Sequence, residues 1–90
     1  IEAFIKENDK CAIDFWAPWC GPCKMLAPNL EAACEEKKVA LGKVNIDSEK
    51  ELAEEYGVMS IPTVIKFEKG EEKDRKIGNV SKESIIDFLG

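Results

Sequence analysis

The stretch Cys11-Ala12-Ile13-Asp14-Phe15-Trp16-Ala17 constrains the fold more than any other part of the chain. Apart from Asp14 it is apolar, with no alternation of inward and outward residues. Such a run reads as a central strand buried on both faces. A strand of that kind needs a covering layer on each side of its sheet, and in a short chain an α/β architecture supplies both. A length of 90 residues sets one domain, spanning 1–90, with a single modest core.

Helical and extended patterns alternate along the rest of the chain. Residues 2–9 read as a short helix with Phe4 and Ile5 turned inward. Residues 21–37 read as a long one, since Leu26, Leu30, Ala33 and Cys34 recur at helical spacing. Pro22 is tolerated in the first turn. Pro28 lies deeper, withholds a donor from the Lys24 carbonyl and predicts a kink. Residues 39–46 form the second strand. Ser48-Glu49-Lys50-Glu51 has the pattern of a capping box for the third helix, which Gly57 ends. Residues 62–67 and 71–77 are strands joined by a turn at Lys69-Gly70, and the charges of the second suit a sheet edge. Val80 and Ser81 open a last helix, with Val80 stapled to Ile85 and a buried stripe of Ile85, Ile86 and Leu89. The order is α-β-α-β-α-β-β-α.

The net charge of −5 argues against a nucleic-acid or anionic-membrane surface, since both need clustered Lys and Arg. No apolar run approaches the ~20 residues that span a bilayer. The N-terminal residues lack the basic and apolar regions of a signal peptide, and the absence of a starting Met suggests a fragment or a processed form. Four cysteines in a chain with clear strand and helix patterns fit a reducing cytoplasm better than a secreted disulfide scaffold.

The chemistry is expected at Trp19-Cys20-Gly21-Pro22-Cys23-Lys24, where the first strand gives way to the long helix. The first N–H groups of a helix lack internal partners and carry partial positive charge, so an anion is favoured there. Cys20 at that mouth should hold a stabilised thiolate, the nucleophile of disulfide exchange. Cys23 follows one turn later on the same face, where a shielded resolving thiol can meet it. Gly21 permits the tight turn, and Pro22 stiffens it while withholding a donor. A zinc or iron–sulfur site needs more ligands than this pair, and there is no His and no second Cys-x-x-Cys, so no metal is expected. Cys34 lies about 16 Å along the helix from Cys23, too far to bridge, and with Cys11 it reads as inert core filler.

Two further positions stand out. Asp14 interrupts the most apolar strand. Its neighbours place it inside, where burial raises a carboxyl pKa and makes proton exchange near neutral pH possible. Pro62 opens a strand that it cannot hydrogen-bond into, which leaves either a plain strand-start proline or a special backbone geometry. Trp16 is expected to pack beneath the Cys20 loop.

With these residues in place the chain resembles the thioredoxins. The likeness covers residues 11–90 and rests on Phe15-Trp16-Ala17-Pro18-Trp19-Cys20-Gly21-Pro22-Cys23-Lys24, Lys43-Val44-Asn45-Ile46-Asp47, Ile61-Pro62-Thr63 and Gly78. The resemblance implies a central mixed sheet of four to five strands with helices on both faces, the usual first strand being missing or cut off ahead of Ile1. It implies a cis Ile61-Pro62 bond that turns the Ile61 backbone toward an extended substrate. It further implies that Asp14 assists deprotonation of Cys23, that Lys43 pairs with Asp14, and that Trp19, Ile61, Pro62 and Gly78 form an apolar rim for docking. No cofactor is implied beyond the Cys20–Cys23 disulfide. The implied partners of this monomer are disulfide-containing proteins and a flavin- or ferredoxin-dependent thioredoxin reductase. Met59-Ser60 departs from the usual residues of its loop, which bears on partner choice.

The leading function is therefore protein-disulfide reduction. A disulfide isomerase or oxidase is the alternative, disfavoured by Pro22 where such domains commonly carry His. A non-catalytic interaction domain is the third, disfavoured by retention of both cysteines. Pro22→His should raise the reduction potential of the pair by roughly 30 mV or more, equivalent to tenfold in the exchange equilibrium. Equilibration with glutathione measures it, and an unchanged or lower potential contradicts this role for Pro22.

Overall fold

A computed structural model describes residues 1–90. Its elements are α1 (Glu2–Glu7), β1 (Lys10–Trp16), α2 (Gly21–Lys37), β2 (Ala40–Asn45), α3 (Lys50–Glu55), β3 (Thr63–Glu68), β4 (Glu71–Ile77) and α4 (Lys82–Leu89). The four strands form one sheet in the order β2-β1-β3-β4. β1 pairs parallel with β2, because α2 carries the chain back over the sheet between them. β3 runs antiparallel to both β1 and β4. The β3–β4 turn is the Lys69-Gly70 pair, with φ of 53° and 83°. Two positive φ values in a two-residue loop match the twist of the flanking strands.

Alternation along the strands sends successive side chains to opposite faces of the sheet. Cys11, Ile13 and Phe15 of β1 join Ile65 and Phe67 of β3 in a core that also takes in Ile5 of α1, with Leu52 and Tyr56 packed against it. Ala12 and Val64 face the other way, into a core built from Leu26, Leu30, Ala33 and Cys34 of α2 and Ile85, Phe88 and Leu89 of α4. Helices thus cover both faces of a four-stranded mixed sheet, and Asp14 lies on the α2 side.

Two local expectations need correction. The capping box does not form. α3 begins at Lys50 with Glu49 as its N-cap and no side-chain cap, while the Ser48 hydroxyl donates to the Asn45 carbonyl at 3.2 Å. The short polar side chain closes the β2 turn in preference to the helix. On α4 it is Phe88, not Ile86, that completes the buried stripe. Ile85, Phe88 and Leu89 recur at i, i+3 and i+4, which leaves Ile86 half-buried at the edge of the stripe, and the Lys66 ammonium lies 5.8 Å from the Phe88 ring. α2 runs unbroken through Pro28, its inward side chains Leu26 and Leu30 anchored on either side. The Ser81 hydroxyl caps α4 as its position suggests, accepting the Ser84 amide at 3.2 Å.

Left-handed residues close both α2 and α3. After α3, Gly57 (φ 65°) donates to Glu54 and Val58 donates to Ala53, the paired bonds of a Schellman stop. After α2 the same bonds run from Lys38 to Glu35 and from Val39 to Cys34, but Lys38 must adopt φ 57° and ψ 44° with a Cβ present. A left-handed conformation costs a non-glycine residue ~1–2 kcal/mol. Lys38→Gly removes that strain, partly offset by glycine's unfolded-state entropy. It should raise stability by roughly 0.5–1 kcal/mol and the Tm by roughly 2–8 °C in thermal denaturation.

Candidate active site

The site forms where β1 ends and α2 begins. The Cys20 amide donates back to the Ala17 carbonyl at 3.1 Å, which folds the link between strand and helix into a tight loop. Cys20 is the N-cap of α2 in extended conformation, so its sulfur faces the first turn of the helix. There Sγ accepts the Cys23 backbone N–H at 3.2 Å. Sulfur takes the position that a Ser or Asp oxygen usually fills at a helix start. Gly21 and Pro22 complete the turn, and Pro22 costs nothing in helical bonding there.

Cys20 and Cys23 are joined as a disulfide, with Cα atoms 5.3 Å apart. Exposure does not tell the two sulfurs apart, since the residues are 5% and 3% exposed. Their positions on the helix do: Cys20 caps it, and Cys23 lies inside its first turn. Around them, Ala17 is buried with the pair, and Trp16, Ile46 and Ile61 pack against this cluster. Trp16 therefore lies beneath the loop, as its sequence context suggests. Burial raises the Cys11 thiol pKa, and burial followed by the Asp14 charge raises that of Cys34 to about 11. Both stay protonated and unreactive at neutral pH.

A small cavity of about 120 Å³ lies behind the disulfide, lined by Asp14, Trp16, Cys23, Lys24, Ala27 and Lys43. Asp14 is 2% exposed, and its Oδ1 has no hydrogen-bond partner. Burial raises its carboxyl from 3.8 to about 6, against a lowering by Lys43 and with a further rise from Glu31. The expected Asp14–Lys43 pair is not made. Lys43 Nζ donates instead to Oε2 of Glu31, which does not line the cavity, at 2.8 Å, and both side chains keep part of their hydration.

The rim also differs in detail. Trp19 is 67% exposed and Gly78 half-buried, but Pro62 is fully buried and offers no surface. The Ile61-Pro62 bond is cis, and the Gly78 amide donates to the Pro62 carbonyl at 2.8 Å, tying the end of β4 to this loop. Met59, 98% exposed, stands two residues before Ile61. Two residues of the site were given no role by the pattern of the chain. Asp47 accepts the Trp19 indole N–H at 3.0 and 3.3 Å and so orients the exposed ring. Glu31 holds Lys43. Each acts across 28 or 12 residues of sequence, a separation that no local spacing reveals.

No group of three or more His, Cys, Asp or Glu side chains is placed to hold a metal ion, and no helix is long and apolar enough to cross a membrane. A disulfide held at the mouth of a helix, on the central strand of a mixed sheet, defines a thiol–disulfide oxidoreductase. The thioredoxin family model matches residues 2–90. A thioredoxin of Mycoplasma pneumoniae is 47% identical over 83 residues, covering 91% of this chain and 81% of that one. A point-mutant thioredoxin of Halobacterium salinarum superposes with a TM-score of 0.93 at 34% identity, over 98% of this chain and 78% of that one. A chain from a study of thiol resolution in yeast mitochondrial 1-Cys peroxiredoxin via glutathione and thioredoxin systems superposes with a TM-score of 0.89 at 31% identity, over 98% of this chain and 83% of that one. The chain belongs to the thioredoxin family, and its activity is protein-disulfide reduction.

The Asp14 carboxyl carries a stability cost that can be measured. Its folded-state pKa of about 6 lies above the ordinary 3.8. Between about pH 4 and 6 the folded protein holds a proton that the unfolded chain releases, so stability falls as pH rises through that window. The full penalty above it is about 3 kcal/mol. Asp14→Asn should therefore stabilise the protein at pH 7 by roughly 2 kcal/mol, less at about pH 4, because the amide is also poorly solvated. Urea denaturation at both pH values measures the difference, and an equal effect at both contradicts the burial argument.

Proposed function

We propose that Cys20 is the attacking sulfur and Cys23 the resolving one, in a domain that passes two electrons to disulfides of partner proteins. The observation that carries this assignment is the 3.2 Å contact from the Cys23 amide to Cys20 Sγ. An N–H aimed at sulfur from the positive end of a helix favours the thiolate over the thiol.

In the reduced form the Cys20 thiolate attacks one sulfur of the partner's disulfide. A Cys20–partner bond forms, the partner's S–S bond breaks, and its second sulfur leaves and takes a proton. Asp14 accepts the Cys23 proton through the cavity they share, which has room for a bridging water. The Cys23 thiolate then attacks Cys20 Sγ, and the partner's first sulfur departs. The partner is reduced, and Cys20–Cys23 is oxidised. Pro22 limits the donors around Cys20, so the thiolate is not held so firmly that the protein becomes an oxidant.

Substrates dock as extended chains over Trp19, Ile61 and Gly78, with Pro62 supporting the loop from beneath. The Ile61 amide and carbonyl take part in none of the loop hydrogen bonds, which suits β-type pairing with a substrate strand. Asp47 fixes the Trp19 ring on one side of that surface. The protein works as a monomer in the cytoplasm, without a bound cofactor, and a flavin- or ferredoxin-dependent reductase returns it to the dithiol. Oxidised thiol proteins of the peroxiredoxin kind are one target class, by analogy with the yeast chain.

Cys23→Ser should capture partner proteins as stable mixed disulfides on Cys20, whereas Cys20→Ser should capture none. Both variants should lose insulin reduction with dithiothreitol. Equal capture by Cys20→Ser would reverse the assignment of the two sulfurs.

A further inference from the structure

Asp14 and Lys43 are direct neighbours in the β1–β2 ladder, and both line the cavity behind Cys23. A lysine has the reach to seat its ammonium on an adjacent carboxylate. It does not do so here. The ammonium is 2.8 Å from Glu31 Oε2, and Asp14 Oδ1 is left buried without a partner. Glu31 is placed for this by helical spacing. Lys24, Ala27 and Glu31 follow one another at i, i+3 and i+7 along the edge of α2. The first two line the cavity, and the third, one turn further on, reaches Lys43.

We propose that Glu31 is a positioning residue: by holding the Lys43 ammonium away from Asp14, it sets the pH at which Asp14 takes the proton of Cys23. This rests on Asp14 being the proton acceptor for Cys23, as proposed above.

The ion pair does little to hold the fold together. The Lys43 and Glu31 side chains are 40% and 55% exposed, and a pair so wet contributes little to stability. Its leverage lies in what it does to a buried neighbour. Lys43 lowers the Asp14 pKa and Glu31 raises it. Removing Glu31 therefore acts twice in one direction. It deletes a negative charge near the carboxylate, and it frees the ammonium to approach.

The other groups facing Asp14 do not offer the same control. On β3 its ladder neighbour is Val64, and the next residue on that face, Lys66, pairs with Glu68 and lies over the Phe88 ring. α2 contributes Lys24 at the cavity wall, Cys23 in the disulfide and Cys34, whose thiol stays protonated. α4 contributes only apolar side chains to the core on this face. β1 itself presents Ala12 and Trp16 there.

The test follows the Asp14 carboxyl by carbon-13 NMR from about pH 4 to 9 in the oxidised protein. In parallel, the pH profile of the Cys23 step is read from thiolate release after reaction with Ellman's reagent. Glu31→Gln should lower both midpoints by roughly half a pH unit or more. Glu31→Asp, which keeps the charge, should restore them toward the wild-type values. Lys43→Gln should raise the carboxyl midpoint, and Glu31→Gln should shift it distinctly less in that background. An Asp14 midpoint unmoved by Glu31→Gln overturns the proposal. So does a carboxyl midpoint that moves while the kinetic inflection stays in place. Asp14→Asn separates the two claims. If that variant leaves the kinetic profile unchanged, the proton-acceptor role of Asp14 fails, whatever the carboxyl titration shows for Glu31.

Discussion

The structure turns on one short contact, the Cys23 amide against the sulfur of Cys20. A helix ordinarily satisfies its first free donors with Ser, Asp or water. Here the donor meets the atom that carries the chemistry. Two conditions make the contact possible. The helix must start abruptly after a strand, and it must be held still. The first comes from the tight loop closed by Ala17 and Cys20. The second comes from Leu26, Leu30 and Ala33, which fix α2 onto Ala12 and Val64 of the sheet and onto α4. A mobile helix would average the donor away from the sulfur, so the burial of leucines further along the helix supports the reactivity of a residue at its tip.

The same face of the sheet carries the main departure from good packing. A buried carboxyl with an unpartnered oxygen costs stability at neutral pH, and an apolar residue would fill its place more favourably. The cost falls where strand alternation puts Asp14 beside Cys23 rather than among Ile13 and Phe15. The opposite core, made from Cys11, Ile13, Phe15, Ile65 and Phe67, has no such interruption. Both faces thus carry a buried core, and the proton chemistry is confined to the α2 face.

Much of this was legible in the chain, for reasons that differ from one element to the next. β1 was readable because an apolar run broken only by Asp14 fits little except a strand covered on both faces. α2 was readable from its stripe of Leu26, Leu30, Ala33 and Cys34, and its start from Pro22. The β3–β4 hairpin followed from Lys69-Gly70. The failures were matters of competition. Ser48 could cap α3 or close the β2 turn, and local sequence does not rank the two. Ile86 and Phe88 are both apolar, and the choice of which turns inward belongs to the sheet beneath. Pro62 falls just before β3 rather than within it, and its burial, beside the β4 end that Gly78 ties to it, is not visible in the local sequence. At the site, the cysteines were evident from spacing. Asp47 and Glu31 were not, because each is an ordinary exposed acidic residue until the fold sets it against Trp19 or Lys43.

Glu31 also shows why a ladder neighbour is not necessarily an ion-pair partner. Register fixes which Cα atoms are adjacent, and Asp14 and Lys43 are adjacent. Where the ammonium goes is then a contest between two carboxylates. Asp14 offers an attraction strengthened by low dielectric, but the lysine must shed water to reach it. Glu31 offers a weaker attraction that leaves both charges partly hydrated. With the cavity open to one side and Glu31 one turn beyond Ala27, the wet pair forms. Had α2 carried an apolar residue at position 31, the contest would have a single entrant. The ammonium would turn inward, and Asp14 would be held as a carboxylate over a wider pH range. The charge that tunes the buried acid thus sits on the surface, where substitution leaves the core untouched.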